Sequence, residues 1–301
     1  MSSAFPPEQP PAELLVVGAS EVLTCGRMAD ASGAEGDRIP GGCVAVGDGQ
    51  ILAVGPEAQL RERYDCSSAT VVEAKGGAVA PGFVDAHTHL VFGGSRVREY
   101  AARLTRSRPE VEELGIETGI MATVAMTRSE DEETLYAAAA SRLDELLAHG
   151  TTTAESKSGY GLDVFSEIKL LRVNRRLDDS HAIDIVSTFM GAHDFPRELE
   201  REAYIDQVID EMIPRVAAED LAGFCDVFCD EGYYTVEQTR RILEAGIASG
   251  MAPKIHADQY SDMGGAGLAA ELAVVSADHL NFTGPEGLRD MAEAGVVAVL
   301  M

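Results

Sequence analysis

The stretch Pro81-Gly-Phe-Val-Asp-Ala-His-Thr-His-Leu90 opens on a Pro-Gly turn, runs through Phe83 and Val84, and closes on His87 and His89. Residues i and i+2 of a strand point to the same face. Two imidazoles at the end of one strand therefore reach a single metal ion, and neutral imidazole suits both zinc and iron. Two ligands do not make a site, so this reading requires further ligands downstream.

From Pro81 onward the chain repeats one pattern: an apolar strand, a polar tip, then an amphipathic helix. Strands are predicted at residues 82–87, 151–155, 182–192, 224–230, 251–257, 274–279 and 296–301. Ser129 with Glu132, Thr235 with Gln238, and Thr283 with Glu286 have capping-box spacing at helix starts. Gly150 and Gly250 stand where helices should stop. Strands that are apolar nearly throughout and alternate with helices imply a parallel sheet covered on the outside. The expected fold class is α/β, a TIM-type (β/α)8 barrel over residues 81–301. No glycine-rich dinucleotide loop follows the first strand, which disfavours an open doubly wound sheet.

Upstream, residues 1–12 are rich in Pro, Ser and Glu and read as a flexible tail. Residues 13–80 read as a small, incomplete β domain. Its strands are predicted at residues 14–17, 43–46, 51–54, 71–73 and 77–80, with Asp48-Gly49 as a hairpin turn.

Acidic residues outnumber basic ones 50 to 24, a formal net charge of -26, while 46% of residues are hydrophobic. A large core is affordable, and nucleic-acid or anionic-membrane binding is disfavoured. Five cysteines at irregular spacing give no disulfide framework, and Cys225 and Cys229 read as reduced core residues. Neither a signal peptide nor a membrane span is read from the sequence, so the cytoplasm is the expected location.

Five of the seven histidines fall at predicted strand ends: His87, His89, His193, His256 and His279. In a barrel these ends converge on one face, where active sites form. His149 and His181 lie elsewhere, the former at a helix end where the dipole favours it. Arg96, in Gly93-Gly94-Ser95-Arg96, the segment Glu155-Ser-Lys-Ser-Gly-Tyr160, and Asp258-Gln259 fall on the same rim.

The sequence resembles imidazolonepropionases, amidohydrolase-superfamily enzymes of histidine degradation. The motifs are PGFVDAHTHLVFGGSR (81–96), ESKSGYGL (155–162), TFMGAH (188–193), DVFCDEG (226–232), KIHADQ (254–259) and SADHL (276–280). The resemblance implies one Zn or Fe ion on a TIM barrel, with His87, His89 and His256 among its ligands. It further implies a substrate pocket of Arg96, Tyr160, His193 and Gln259, with His279 beside the attacking water. The implied reaction is hydrolysis of the cyclic amide of 4-imidazolone-5-propanoate to N-formimidoyl-L-glutamate. The residue chemistry agrees. An amide is a poor electrophile, and a metal polarises it while lowering the pKa of water to ~7. An anionic substrate tail on so acidic a chain needs a local cation, which Arg96 supplies bidentately.

The resemblance also places an eighth strand, and an aspartate that completes the metal site, beyond Met301. The expectation is therefore a barrel truncated before strand eight, with seven of eight βα units and poor activity by itself. Asp85 and Asp258 stand too close to the histidines to replace that aspartate. Alternatives are a related deaminase or cyclic amidase, an inactive fragment, or a carbamylated Lys157 bridging two metals. The expected partners are a small-molecule substrate, no nucleic acid and no membrane, with a homodimer as the assembly to test.

Overall fold

The structure is a computed structural model and describes residues 9–26 and 38–301. The chain divides into one compact unit ending at Gly82 and a second running from Phe83 to Met301. Most of the expected tail lies outside the described residues. Its last part is not loose: the Ala12 amide donates to the Asp65 carbonyl at 2.9 Å, and Ala12 is buried.

Among the described residues, the first unit holds seven short strands in two sheets. One sheet comprises β1 (Leu14–Val17), β4 (Gly42–Gly47), β5 (Gln50–Pro56) and β6 (Thr70–Glu73), in the order β5-β4-β1-β6. The other comprises β2 (Glu21–Leu23), β3 (Arg38–Pro40) and β7 (Ala78–Val79), in the order β3-β2-β7. Sequence pattern missed β2 and β3, which have three residues each and too short a run to show period-2 alternation. The Asp48-Gly49 turn forms as predicted. Both residues have positive φ, 51° and 68°, which a type I′ hairpin requires, and Gly47 pairs with Gln50 across it. Leu15, Val17, Cys43, Ala45, Leu60 and Tyr64 form this unit's main core.

The second unit carries β8 (Phe83–Asp85), β9 (Thr151–Lys157), β10 (Asp184–Ala192), β11 (Phe224–Cys229), β12 (Ala252–Ala257), β13 (Ser276–His279) and β14 (Val297–Val299). Each pairs in parallel with the next, giving one curled sheet in chain order. Helices fill every connection, including Val164–Ser180, Val236–Ala248 and Pro285–Ala294. This is the alternation of a TIM-type barrel, with seven parallel strands among the described residues. No helix of the described residues is long and apolar enough to cross a membrane.

Side chains alternate along these strands in a way the sequence reading did not anticipate. Cys225, Val227 and Cys229 of β11, Ile255 and Ala257 of β12, and Ala277 of β13 pack in the main hydrophobic core. The residues alternating with them are Asp226, Phe228, Lys254, His256, Ser276 and Asp278, all buried. One face of these strands is thus apolar, and the other carries a buried layer that is polar apart from Phe228.

Helix boundaries correct two of three predicted capping boxes. Thr235 and Gln238 form theirs at the start of Val236–Ala248. Ser129 is instead the last residue of Gly119–Ser129, and Asp131 caps the next helix through the Thr134 amide. Thr283 precedes a Gly284 cap, with Pro285 opening the helix, and its hydroxyl donates to Asp258. Gly150 and Gly250 follow helix ends at φ 95° and 90°, the left-handed geometry expected there.

Candidate metal centre

The strand carrying the first two histidines stops at Asp85, so His87 and His89 lie just beyond it rather than on it. The chain still runs alongside β9: the Lys157 amide donates to the Thr88 carbonyl at 2.9 Å, and the Thr88 hydroxyl donates to the Glu155 carbonyl. His256 comes from inside β12, His279 ends β13, and His193 follows β10.

All five predicted histidines converge. Ring centroids lie 4.6 Å apart for His87 and His256, 5.7 Å for His87 and His89, and 5.9 Å for His89 and His256. His279 stands 5.1 Å from His87 and 5.0 Å from His256. His193 stacks on His89 at 4.5 Å with a 9° interplanar angle, and Tyr160 sits 5.1 and 5.2 Å from His89 and His193.

Potential ligand atoms of His87, His89 and His256 lie within 4.8 Å of one another. Each ring is held through Nδ1: His87 by Asp278 Oδ2 at 2.6 Å, His89 by the Ser158 carbonyl at 3.0 Å, and His256 by Asp226 Oδ2 at 3.0 Å. Each partner accepts, so Nδ1 carries the proton and Nε2 keeps its lone pair, the arrangement seen in metal-ligating histidines. His256 Nε2 is buried with no hydrogen-bond partner among the described residues. An orphaned buried acceptor is costly unless a cation or donor meets it. Burial, reinforced by neighbouring histidines, holds His89 well below the usual imidazole range. His256 is lowered by burial, against the pull of Asp226. The donor set therefore fits a borderline divalent cation.

Beneath the histidines lies a charged layer that sequence reading missed. Lys157 Nζ sits 2.8 Å from Asp226 Oδ2, 3.0 Å from Asp278 Oδ2 and 3.0 Å from Glu155 Oε1. Lys254 Nζ lies 2.7 Å from Glu155 Oε2. Burial pushes the Lys157 ammonium down, but Asp226, Asp278 and Glu155 together lift it above its ordinary value. Burial likewise raises Asp278, yet the His87 bond and Lys157 bring it to about 2. Three carboxylates around Lys157 Nζ favour the ammonium over the neutral amine that carbamylation requires. The available signal was a charge inside an otherwise apolar strand, as at Asp226 in Phe224-Cys-Asp-Val-Phe-Cys229.

Asp85 and Asp258 are structural. Asp85 Oδ1 accepts from the His87 amide at 3.3 Å, and Asp258 accepts from the Gly265 amide and the Thr283 hydroxyl.

Arg96 precedes the helix Val97–Arg103 and points its Nε and Nη2 at buried Glu99, at 2.5 and 2.9 Å. The edge formed by Nη1 and the second Nη2 hydrogen has no hydrogen-bond partner among the described residues. Arg96 and Tyr160 line one cavity of about 350 Å3 together with Phe92, Ser95 and Arg142. His193 donates from Nδ1 to the Gly159 carbonyl at 3.1 Å. Burial, with help from His256, lowers it to about 3, so it is neutral and its Nε2 accepts. Gln259 is half-buried on the loop after β12, where its carbonyl accepts from Asn281. His279 is brought to about 4, by burial first and then by His256 and His87, and has φ 76°.

A family model described as the imidazolonepropionase-like composite domain of bacteria matches residues 42–65. The chain is 49% identical over 267 residues to the imidazolonepropionase of Geobacillus kaustophilus, covering 87% of this chain and 63% of that one. It is 46% identical over 303 residues to the imidazolonepropionase of Symbiobacterium thermophilum, covering 97% of this chain and 70% of the relative. Among solved structures, an adenosine deaminase from Xanthomonas campestris with bound zinc superposes at a TM-score of 0.60 with 18% identity, covering 97% of this chain and 63% of that one. The chain thus spans just under two thirds of the Geobacillus relative's length.

Proposed function

The chain belongs to the imidazolonepropionase family, and from that membership we propose that it carries the metal and substrate site for hydrolysing 4-imidazolone-5-propanoate to N-formimidoyl-L-glutamate. The observation that carries this reading is the set His87, His89 and His256, each fixed through Nδ1, with the buried His256 Nε2 left unpartnered. These three residues would hold one Zn or Fe ion. When bound, the ion supplies Lewis acidity toward a carbonyl and toward water.

The remaining work falls to the chain's own groups. Arg96 is braced on one edge by Glu99, so its other edge meets the propanoate carboxylate as a fixed fork. Tyr160 closes the same cavity and donates its hydroxyl to the substrate. His193, neutral with Nε2 as acceptor, takes a ring N–H, and Gln259 offers an amide to the ring's polar edge. His279 is neutral at pH 7 and adjoins His87 and His256, so its imidazole nitrogen takes a proton from the attacking water and returns it to the leaving ring nitrogen as the amide C–N bond breaks.

The test is His256→Ala in the purified chain. Wild type should contain about one equivalent of metal by elemental analysis, and the variant should lose it. Turnover of 4-imidazolone-5-propanoate, assayed beside dihydroorotate and guanine, should be confined to the first substrate. Unchanged metal content in His256→Ala sinks the ligand assignment. Preference for guanine or dihydroorotate sinks the substrate.

A further inference from the structure

Two overlapping groups of metal-capable side chains occupy this site. One is His87, His89 and His256; the other is Asp226, His256 and Asp278, fully buried and sharing His256 with the first. His256 turns Nε2 to the first group and its Nδ1 proton to Asp226 of the second, so the two groups stand side by side across one imidazole, the close spacing that two-metal centres use. The second group, however, already surrounds a cation. We propose that the Lys157 ammonium occupies the second cation position and so limits the site to one metal ion, an inference that rests on reading the three histidines as metal ligands.

The geometry supports this in three ways. First, Lys157 Nζ donates to Asp226 at 2.8 Å and to Glu155 at 3.0 Å, and pairs with the Asp278 carboxylate at 3.0 Å, so three carboxylates surround one ammonium. Its side chain is fully buried, so no water competes for them. Second, the oxygens that Lys157 engages are doubly used. Asp226 Oδ2 also accepts from His256, and Asp278 Oδ2 also accepts from His87. Asp278 Oδ1 accepts from the Ser276 hydroxyl. Asp226 Oδ1 is buried with no hydrogen-bond partner among the described residues, and Glu155 Oε2 faces the Lys254 ammonium at 2.7 Å. Third, the charges match. Glu155, Asp226 and Asp278 face the ammoniums of Lys157 and Lys254, leaving a single net negative charge. Removing Lys157 leaves two, which a divalent ion restores to neutrality. Lys157 is therefore a positioning residue: it clamps the two carboxylates that set the His87 and His256 tautomers, and it fills the space of a second metal.

Lys157→Met keeps the side chain's length and apolar stem and removes the charge. The chelated proteins are reloaded with Zn2+, freed of excess by gel filtration, and analysed for metal per chain. Wild type should hold one equivalent and Lys157→Met two, the second being lost again in Lys157→Met/Asp278→Asn. If Lys157→Met is unfolded without metal, Zn2+ is titrated into it and followed by far-ultraviolet circular dichroism; refolding complete at two equivalents supports the proposal. Any count other than two in Lys157→Met, folded or metal-refolded, overturns it. Absence of metal from wild type would instead overturn the histidine ligand assignment, so the two failures are distinguishable.

Discussion

Glu99 turns Arg96 from a flexible surface cation into an oriented one. The pair occupies the Nε edge and leaves the terminal edge for a carboxylate. Arg96→Ala should lose a charge-assisted contact of about 1.5–3 kcal/mol, roughly a ten- to hundredfold loss in kcat/KM. Lys in its place should rescue only part, because it lacks the planar fork. Full activity in Arg96→Ala with metal retained rules the role out. Asp278 gives a second test, in chelated protein. Its carboxyl sits at about 2 in the fold against an ordinary 3.8. A depressed carboxyl stabilises fully above its unfolded value and loses that contribution as pH falls through its folded value. Wild type should therefore exceed Asp278→Asn in urea midpoint at pH 7, with about 2 kcal/mol of the gap closing between pH 4 and pH 2. A gap that stays constant with pH contradicts this. The histidines were legible in the sequence because that residue type is scarce and five of the seven fell at or just past predicted strand ends. Asp226, Asp278, Glu155 and Lys254 were not, because a charge inside a strand declares its face only once its neighbours across the sheet are known.

The βα units were legible for a different reason. Long apolar runs bounded by Gly and polar tips leave few alternatives, and β9 to β13 lie close to their predicted ranges. Helix starts were less legible, since a Ser or Thr three residues before an acid occurs by chance on helix surfaces. Thr235 accepts from the Gln238 amide at 3.2 Å, and Gln238 Oε1 accepts from the Thr235 amide at 3.1 Å. Ser129 instead donates to the Met126 carbonyl at 2.7 Å, within the last turn of its helix. Thr235→Ala should cost about 1 kcal/mol in urea unfolding, and Ser129→Ala should stay within about 0.5 kcal/mol of wild type. Equal losses would show that capping at Thr235 contributes nothing particular.

At the scale of the whole molecule, a net charge of -26 makes the folded state repel itself. Salt at about 1 M shortens the screening length to roughly 3 Å, so the thermal midpoint should rise as KCl is raised from about 0.05 M to that level. A falling midpoint would mean that surface ion pairs such as Arg240–Glu271 outweigh the repulsion. One bond described above also bears on timing. His87 and Asp278 are 191 positions apart, and β8, which His87 follows, and β13, which carries Asp278, are the first and sixth strands of the parallel sheet and share no edge. A ribosome adding about 5–20 residues per second exposes the first histidine pair roughly ten to forty seconds before its carboxylate partner exists. During that interval His87 and His89 are two imidazoles on an unfinished chain, open to any thiophilic or borderline ion in the cell. On the proposed reading of His87, His89 and His256 as ligands, the full set exists only once β12 has been made, so correct metal loading would follow synthesis of most of the sheet.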